Sequence, residues 1–170
     1  MKKLSSSQQT EHNLRLPPHS LEAEQCLIGG LMLDSQTFDA IAAQLGSSDF
    51  YHPDHRLIFS AIAELHRDNK PIDVLTVSEI LTRDNMLERT GGLTFLAELA
   101  QQTPGTSNLL FYCNIVRERS IRRQLIHAAK DIAEIAYDPG NLDEDGMLTH
   151  AEQQLIRLSE SRPSTGGFTA

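Results

Sequence analysis

The stretch Leu16–Asp34, LPPHSLEAEQCLIGGLMLD, constrains the fold more than any other part of the chain. Pro17 and Pro18 cannot sit inside a helix, since each lacks an N–H and has a fixed φ. Ser20 follows them as a natural N-cap, its hydroxyl able to accept from a backbone N–H two or three residues on. Glu22 and Glu24 place negative charge on the first turn, where the helix dipole favours it. Beyond Gln25 the helix is apolar on nearly every side, through Cys26, Leu27, Ile28, Leu31, Met32 and Leu33. Such a helix must be buried on several sides. Gly29 and Gly30 each cost about 1 kcal/mol against Ala in a helix interior. Retaining both predicts close crossing by another helix, with Leu21 to Leu33 as the central helix of an all-helical domain.

Composition agrees with that reading. The 170 residues suffice for one domain or a domain with an appendage. Aromatics are 5% and Trp is absent, so Leu, Ile and Ala must fill most of the core. The net charge of −8 makes the chain a poor general binder of nucleic-acid phosphates, though a local basic patch remains compatible with it. Cys26 and Cys113 lie in apolar helical patterns and read as reduced, buried thiols of a cytoplasmic protein rather than a disulfide. The N-terminus has two lysines but no apolar core, unlike a signal peptide. No apolar run approaches the roughly 20 residues of a membrane span.

Along the chain, residues 1–15 are polar and aperiodic and read as a disordered tail. A second helix is predicted over Thr37–Leu45, with Phe38, Ile41, Ala42 and Leu45 inward. Phe50, Tyr51 and Pro53 form an apolar elbow. A third helix is predicted over His55–Asp68 on the stripe Leu57, Ile58, Ala61, Ile62 and Leu65, with Ile72 plugging the core from an extended segment. Thr76-Val77-Ser78-Glu79 matches a capping box and opens a fourth helix ending near Asn85, with Asp73 as a competing N-cap. Leu93–Gln101 follows, with Leu93, Leu96, Leu99 and Ala100 inward. Thr103–Ser107 is the strongest central break and is read as a boundary between a head, 16–104, and a second unit, 105–162.

That second unit is read as a hairpin. Leu109–Tyr137 contains no Gly or Pro, so one helix there reaches on the order of 40 Å. Tyr112, Ile115, Ile121, Leu125, Ala128, Ile132 and Ile135 recur near helical spacing. Asp138-Pro139-Gly140-Asn141 stops it. A last helix from Asp143 to Ser161 carries Leu148, Ala151, Leu155, Ile156 and Leu158. Two long helices joined by a short turn pack antiparallel. The fold class is therefore all-α, a globular helical head followed by a long antiparallel helical hairpin. A two-helix hairpin has too little interior to bury both stripes, so it must lean on the head or on another copy of itself. Residues 163–170 read as the start of a linker.

Motifs for chemistry are sparse. No G-x-x-x-x-G-K-[ST] loop occurs, so these residues are not expected to hydrolyse ATP alone. His52-Pro53-Asp54-His55 admits a metal reading, but Pro53 disrupts the segment and no further pair completes a ligand set. The competing reading is that they are exposed polar residues at a helix start. His66, His127 and His150 are single histidines for which packing is the default. There is no G-x-S-x-G elbow, and thiols in apolar helices are inert. No catalytic, cofactor-binding or metal-binding residue is therefore assigned. Arg117, Arg119, Arg122, Arg123 and Lys130 form a basic cluster. It reads as ion pairing with Asp138, Asp143, Glu144, Asp145, Glu152 or Glu160 of the facing helix or a second chain, or as a contact for single-stranded DNA. Base stacking would need interleaved aromatics that are missing.

LPPHSLEAEQCLIGGLMLD resembles the opening of the N-terminal domain of the bacterial replicative DNA helicase, the DnaB family. The resemblance continues through DFYHPDHRLIFSAIAEL, PIDVLTVSEIL, GGLTFLAELA, TPGTSNLLFYCNIVRERSIRRQLI and IAEIAYDP, over about Leu16 to Arg162. It implies a non-catalytic collar that assembles into a dimer or higher oligomer, a hexamer in the full-length protein, and docks primase. A helicase loader is a further expected partner. It also implies that ATP, Mg and most DNA contact belong to a motor domain following a linker near Pro163. By motif match the primase-coupling positions are Glu22, Phe95, Ile126 and Ile132. Phe95 stands where the family often has Tyr, which removes a hydroxyl and a hydrogen bond worth about 0.5–1.5 kcal/mol. The expected oligomer interface comprises Tyr112, Ile115, Ile121, Leu125, Leu148 and Leu155. The alternatives are the helicase-binding domain of primase and a single-stranded DNA-binding helical module.

Overall fold

The computed structural model describes residues 15–160, and all of its regular structure is helical. In chain order the helices are α1 (Leu21–Leu33), α2 (Phe38–Ala42), a 3-10 turn (Ser47–Asp49), α3 (Pro53–Arg67), α4 (Val74–Arg83), α5 (Gly92–Gln102), α6 (Leu109–Tyr137) and α7 (Glu144–Glu160). The expected tail and linker, apart from Arg15, lie outside the described residues.

Helix α1 begins where the Pro-Pro-His-Ser sequence requires. The Ser20 hydroxyl accepts from the Ala23 N–H at 3.3 Å. Leu27, Ile28 and Leu31 are fully buried, and α1 packs on α3, α5 and α6. The glycine pair marks the crossing. A Cβ on Gly29 would overlap the Leu99 carbonyl and the Thr103 hydroxyl of the α5 segment. One on Gly30 would overlap the Leu109 side chain at the start of α6. Two helices therefore meet α1 at adjacent residues, and only the absence of side chains lets them come so near.

Several boundaries differ from the sequence expectation, each for a local reason. The α-helix of α2 is five residues long, because Gln44 N–H bonds to Ile41 O and tightens the chain into a turn. Phe38, Ile41 and Leu45 are still buried. Helix α3 starts at Pro53, not His55. Proline suits the first helical position, where its missing N–H would have no partner anyway, and His52 Nδ1 accepts from Asp54 N–H at 3.2 Å as the cap. Helix α4 is capped by Asp73, not opened at Thr76. Asp73 Oδ1 accepts from Thr76 N–H at 2.8 Å, and Thr76 Oγ1 accepts from Asp73 N–H at 3.0 Å. Leu93, expected inward, is 48% exposed, while Leu96, Leu99 and Ala100 are buried.

The long helix α6 runs over Leu109–Tyr137 as expected, but the core does not respect the break before it. Leu109, Cys113 and Val116 join the same buried cluster as α1, α3 and α4. Burial pushes the Cys113 thiol up to about 11, so it stays protonated and inert at neutral pH. Both cysteines are free. Further along, α6 leaves the head, and its only tightly buried apolar residue is Ala128. Helix α7 returns alongside α6 and has no fully buried residue.

The Gly29 crossing gives a direct test. Gly29→Ala gains about 1 kcal/mol of helix propensity, but overpacking costs about 1–3 kcal/mol. Because the overlap is with backbone, the net effect is expected to be destabilising. Gly30→Ala is expected to cost less, because the Leu109 side chain can rotate. Urea unfolding followed by circular dichroism measures both.

Candidate protein–protein interface

Tyr51 lies in the Phe50–His52 elbow between α2 and α3, and the elbow is held from two sides. From α1, Glu24 is 1% exposed and accepts from Tyr51 N–H at 2.6 Å and from His52 N–H at 3.3 Å. His55 Nδ1–H donates to the same carboxylate at 2.6 Å, and His55 is also 1% exposed. A buried carboxylate persists only when its oxygens are satisfied in this way. From α6, Arg123 donates to Pro18 O at 2.6 Å and to Asp49 O, with its guanidinium 5.6 Å above the Tyr51 ring. Burial pulls the Arg123 guanidinium below the usual arginine range. Ser120 donates to Asp49 Oδ1 at 2.6 Å and Gln124 donates to Ser120 Oγ at 3.0 Å. These bonds lock α6 to the head just where its apolar contact with the core ends.

This joint corrects three sequence readings, the first being Glu24, a buried acceptor and not merely a first-turn dipole charge. His55 is not an exposed helix-start residue but a buried partner of Glu24. The arginines do not pair with the facing helix: Arg119 and Arg122 pair with Glu118, and Arg123 with head carbonyls. Glu24 shares a face with Leu27, Ile28 and Leu31 at helical spacing, a signal that could have marked it as buried. His66 meets Asp39 at 2.7 Å and His150 meets Gln154 at 3.3 Å, while His127 lies 3.5 Å from Asp131. Among the described residues no three His, Cys, Asp or Glu side chains gather as a metal site.

Beyond the joint the surface turns apolar. Leu125, Ile126, Leu142, Leu148, Leu155 and Ile156 are 43–64% exposed, and Tyr137 is 91% exposed. Of the expected interface residues, Leu125, Leu148 and Leu155 are in this bare set. Tyr112 and Ile115 are half-buried against the head core, and Ile121 is half-buried beside Ser120 and Gln124. The expected primase-coupling residues are dispersed over three helices. Glu22 is exposed on α1 and Phe95 half-buried on α5. Ile126 lines a groove where the hairpin leaves the head, and Ile132 sits in an apolar crevice of about 360 Å³ with Met147, Leu148 and Ala151. No helix among the described residues is long and apolar enough to cross a membrane.

The class is set by this architecture: a helical head with a helical hairpin locked onto it. The chain belongs to the DnaB-like helicase N terminal domain family, whose model matches residues 16–118. That membership decides for the helicase against the primase reading. "Replicative DNA helicase DnaB" of Haemophilus influenzae is 39% identical over 162 residues, covering 95% of this chain and 35% of the relative. The chain spans about a third of the length of this relative and of that from Pasteurella multocida. Its fold is similar to the crystal structure of the N-terminal domain of DnaB helicase from Mycobacterium tuberculosis. The TM-score is 0.80 at 29% identity, over 84% of this chain and 99% of that one. It is also similar to the N-terminal domain of DnaB helicase from Helicobacter pylori, described with its interactions with primase. There the TM-score is 0.59 at 25% identity, over 68% of this chain and 89% of that one.

Glu24→Ala strands two N–H groups and the His55 ring in the interior and is expected to cost about 3–5 kcal/mol. Glu22→Ala, two residues away but exposed, is expected to cost only about 0.3–1 kcal/mol from the lost dipole interaction. Chemical denaturation of the two variants side by side measures the contrast, and equal losses would contradict the burial described.

Proposed function

We propose that this chain is the collar of a replicative DNA helicase, a non-catalytic part that assembles copies of itself and docks primase. The observation that carries the reading is the bare apolar surface of the hairpin. Leu148 and Leu155 on α7 and Leu125 on α6 are more than half exposed, on a rod whose base is fixed rigidly to the head. Helix faces of this kind associate by burying their stripes against a partner helix, and a closed symmetric oligomer covers them on every copy. Family membership supports the replicative role, and the Helicobacter pylori relative supports primase as a partner.

Glu22, Phe95, Ile126 and Ile132 are the proposed primase contacts. Their dispersal fits a broad contact over head and hairpin better than a single pocket. The hexameric state, a loader as further partner and a cytoplasmic setting belong to the same proposal. ATP hydrolysis and most DNA contact would reside in the rest of such a helicase.

Multi-angle light scattering tests the assembly. The chain is expected to be a dimer or larger at micromolar concentration. Leu148→Glu with Leu155→Glu is expected to shift it to monomer with unchanged helical circular dichroism. A wild-type chain that stays monomeric at hundreds of micromolar would remove the reading.

A further inference from the structure

Charge is unevenly spread along the hairpin. Residues 117–130 of α6 carry five Lys or Arg against one carboxylate, Glu118. Residues 131–145, the end of α6 and the turn into α7, carry six carboxylates and no Lys or Arg. The hairpin is basic where it joins the head and acidic at its tip.

The basic end has a cavity. The 15–18 segment together with Arg122, Arg123, Ile126, His127 and Lys130 of α6 lines a groove of about 680 Å³. No carboxylate lines it. Among the described residues Arg15 and Lys130 have no ion-pair partner. Arg122 has only Glu118 at 3.6 Å, an exposed pair, and His127 has Asp131 at 3.5 Å. Leu16 is 75% exposed and Ile126 44% exposed, so the groove offers apolar walls as well as positive charge. Its ligand should carry clustered carboxylates flanked by aliphatic side chains.

The tip has that composition. Leu142-Asp143-Glu144-Asp145-Gly146-Met147-Leu148 sets three carboxylates between Leu142 and Leu148, which are 43% and 64% exposed. Among the described residues Asp138, Asp143, Glu144 and Asp145 make no ion pair. The tip cannot reach the groove of its own chain. Ile126 and the end of α6 at Tyr137 are separated by about 16 Å of continuous helix. Residues 1–14 carry Lys2 and Lys3 against Glu11, and residues 161–170 carry Arg162 and no acid, so neither segment has the charge of such a ligand.

We propose that the acidic tip of one chain seats in the basic groove of a second chain, and the second tip in the first groove. The contact is reciprocal, and it fixes the two hairpins antiparallel. A parallel pair would oppose base to base and tip to tip, like charge to like. The inference rests on the self-association proposed above and adds what sets its direction. Apolar stripes alone are indifferent to direction, whereas charge complementarity selects one arrangement and rejects the other.

Sedimentation equilibrium of the whole chain and two charge-reversed variants tests this. One variant is Arg122→Glu with Lys130→Glu. The other is Glu144→Lys with Asp145→Lys, leaving Asp143 to accept from Gly146 N–H. Each variant alone is expected to dimerise at least about tenfold more weakly than wild type, with unchanged circular dichroism. An equimolar mixture is expected to recover dimerisation close to wild type, since each acidic groove then meets a basic tip. Raising NaCl from 50 to 500 mM is expected to weaken the wild-type dimer and the mixed dimer alike. A wild-type dimer indifferent to both variants would overturn this contact while leaving self-association intact, and so would a mixture no tighter than its components. A monomeric wild type would overturn both.

Discussion

The close approach of three helices at Gly29 and Gly30 is the constraint on which the rest of the structure depends. Because neither residue has a side chain, α5 can lay the Leu99 carbonyl against α1 at one position and α6 can place Leu109 against the next. This draws the first turns of α6 into the head core, where Cys113 and Val116 continue the contact. The helix is then not a separate rod tethered by a loop. It is a core helix that outgrows its domain.

Where the apolar contact stops, a polar one takes over. Arg123, Ser120 and Gln124 engage the segment around Asp49 and Tyr51, which Glu24 and His55 hold from the other side. Buried polar groups are costly unless satisfied, and this set is nearly fully bonded, so it favours one orientation of α6 over its neighbours. The consequence for function is mechanical. The projecting part of the hairpin is aimed by the head, and whatever it meets is met at a defined angle.

Much of this was legible in the sequence. Leu21–Leu33 and Leu109–Tyr137 were readable to the residue, because Ser20, the Asp34 break and the Asp138-Pro139-Gly140 stop are local chemistry. The glycine pair announced a crossing, since nothing local explains its cost. Two starts fall earlier than the sequence suggests: at α4 the reciprocal bonds of Asp73 and Thr76 outweigh the Thr76–Glu79 signal, and at α3 Pro53 takes the first helical position behind the His52 cap. The polar joint was not legible. Glu24 looked like a dipole charge and His55 like a surface residue because their partners lie about thirty positions away in sequence, and no periodicity reports such a pairing. The apolar stripe of the hairpin was visible, but which of its members face the head was not: Tyr112 and Ile115 turn inward, Leu125 outward.

The head and the first turns of α6 share one core, whereas the far hairpin, under the proposed assembly, is covered by other chains. Hydrogen exchange read by mass spectrometry as a function of protein concentration tests it most directly. Amides of α1 and of residues 109–120 should exchange slowly at every concentration, with the stability of the core. Amides of residues 131–160 should exchange fast when dilute and gain protection as concentration rises through the association range. Equal, concentration-independent protection along the whole of α6 and α7 would mean that the hairpin is complete within a single chain.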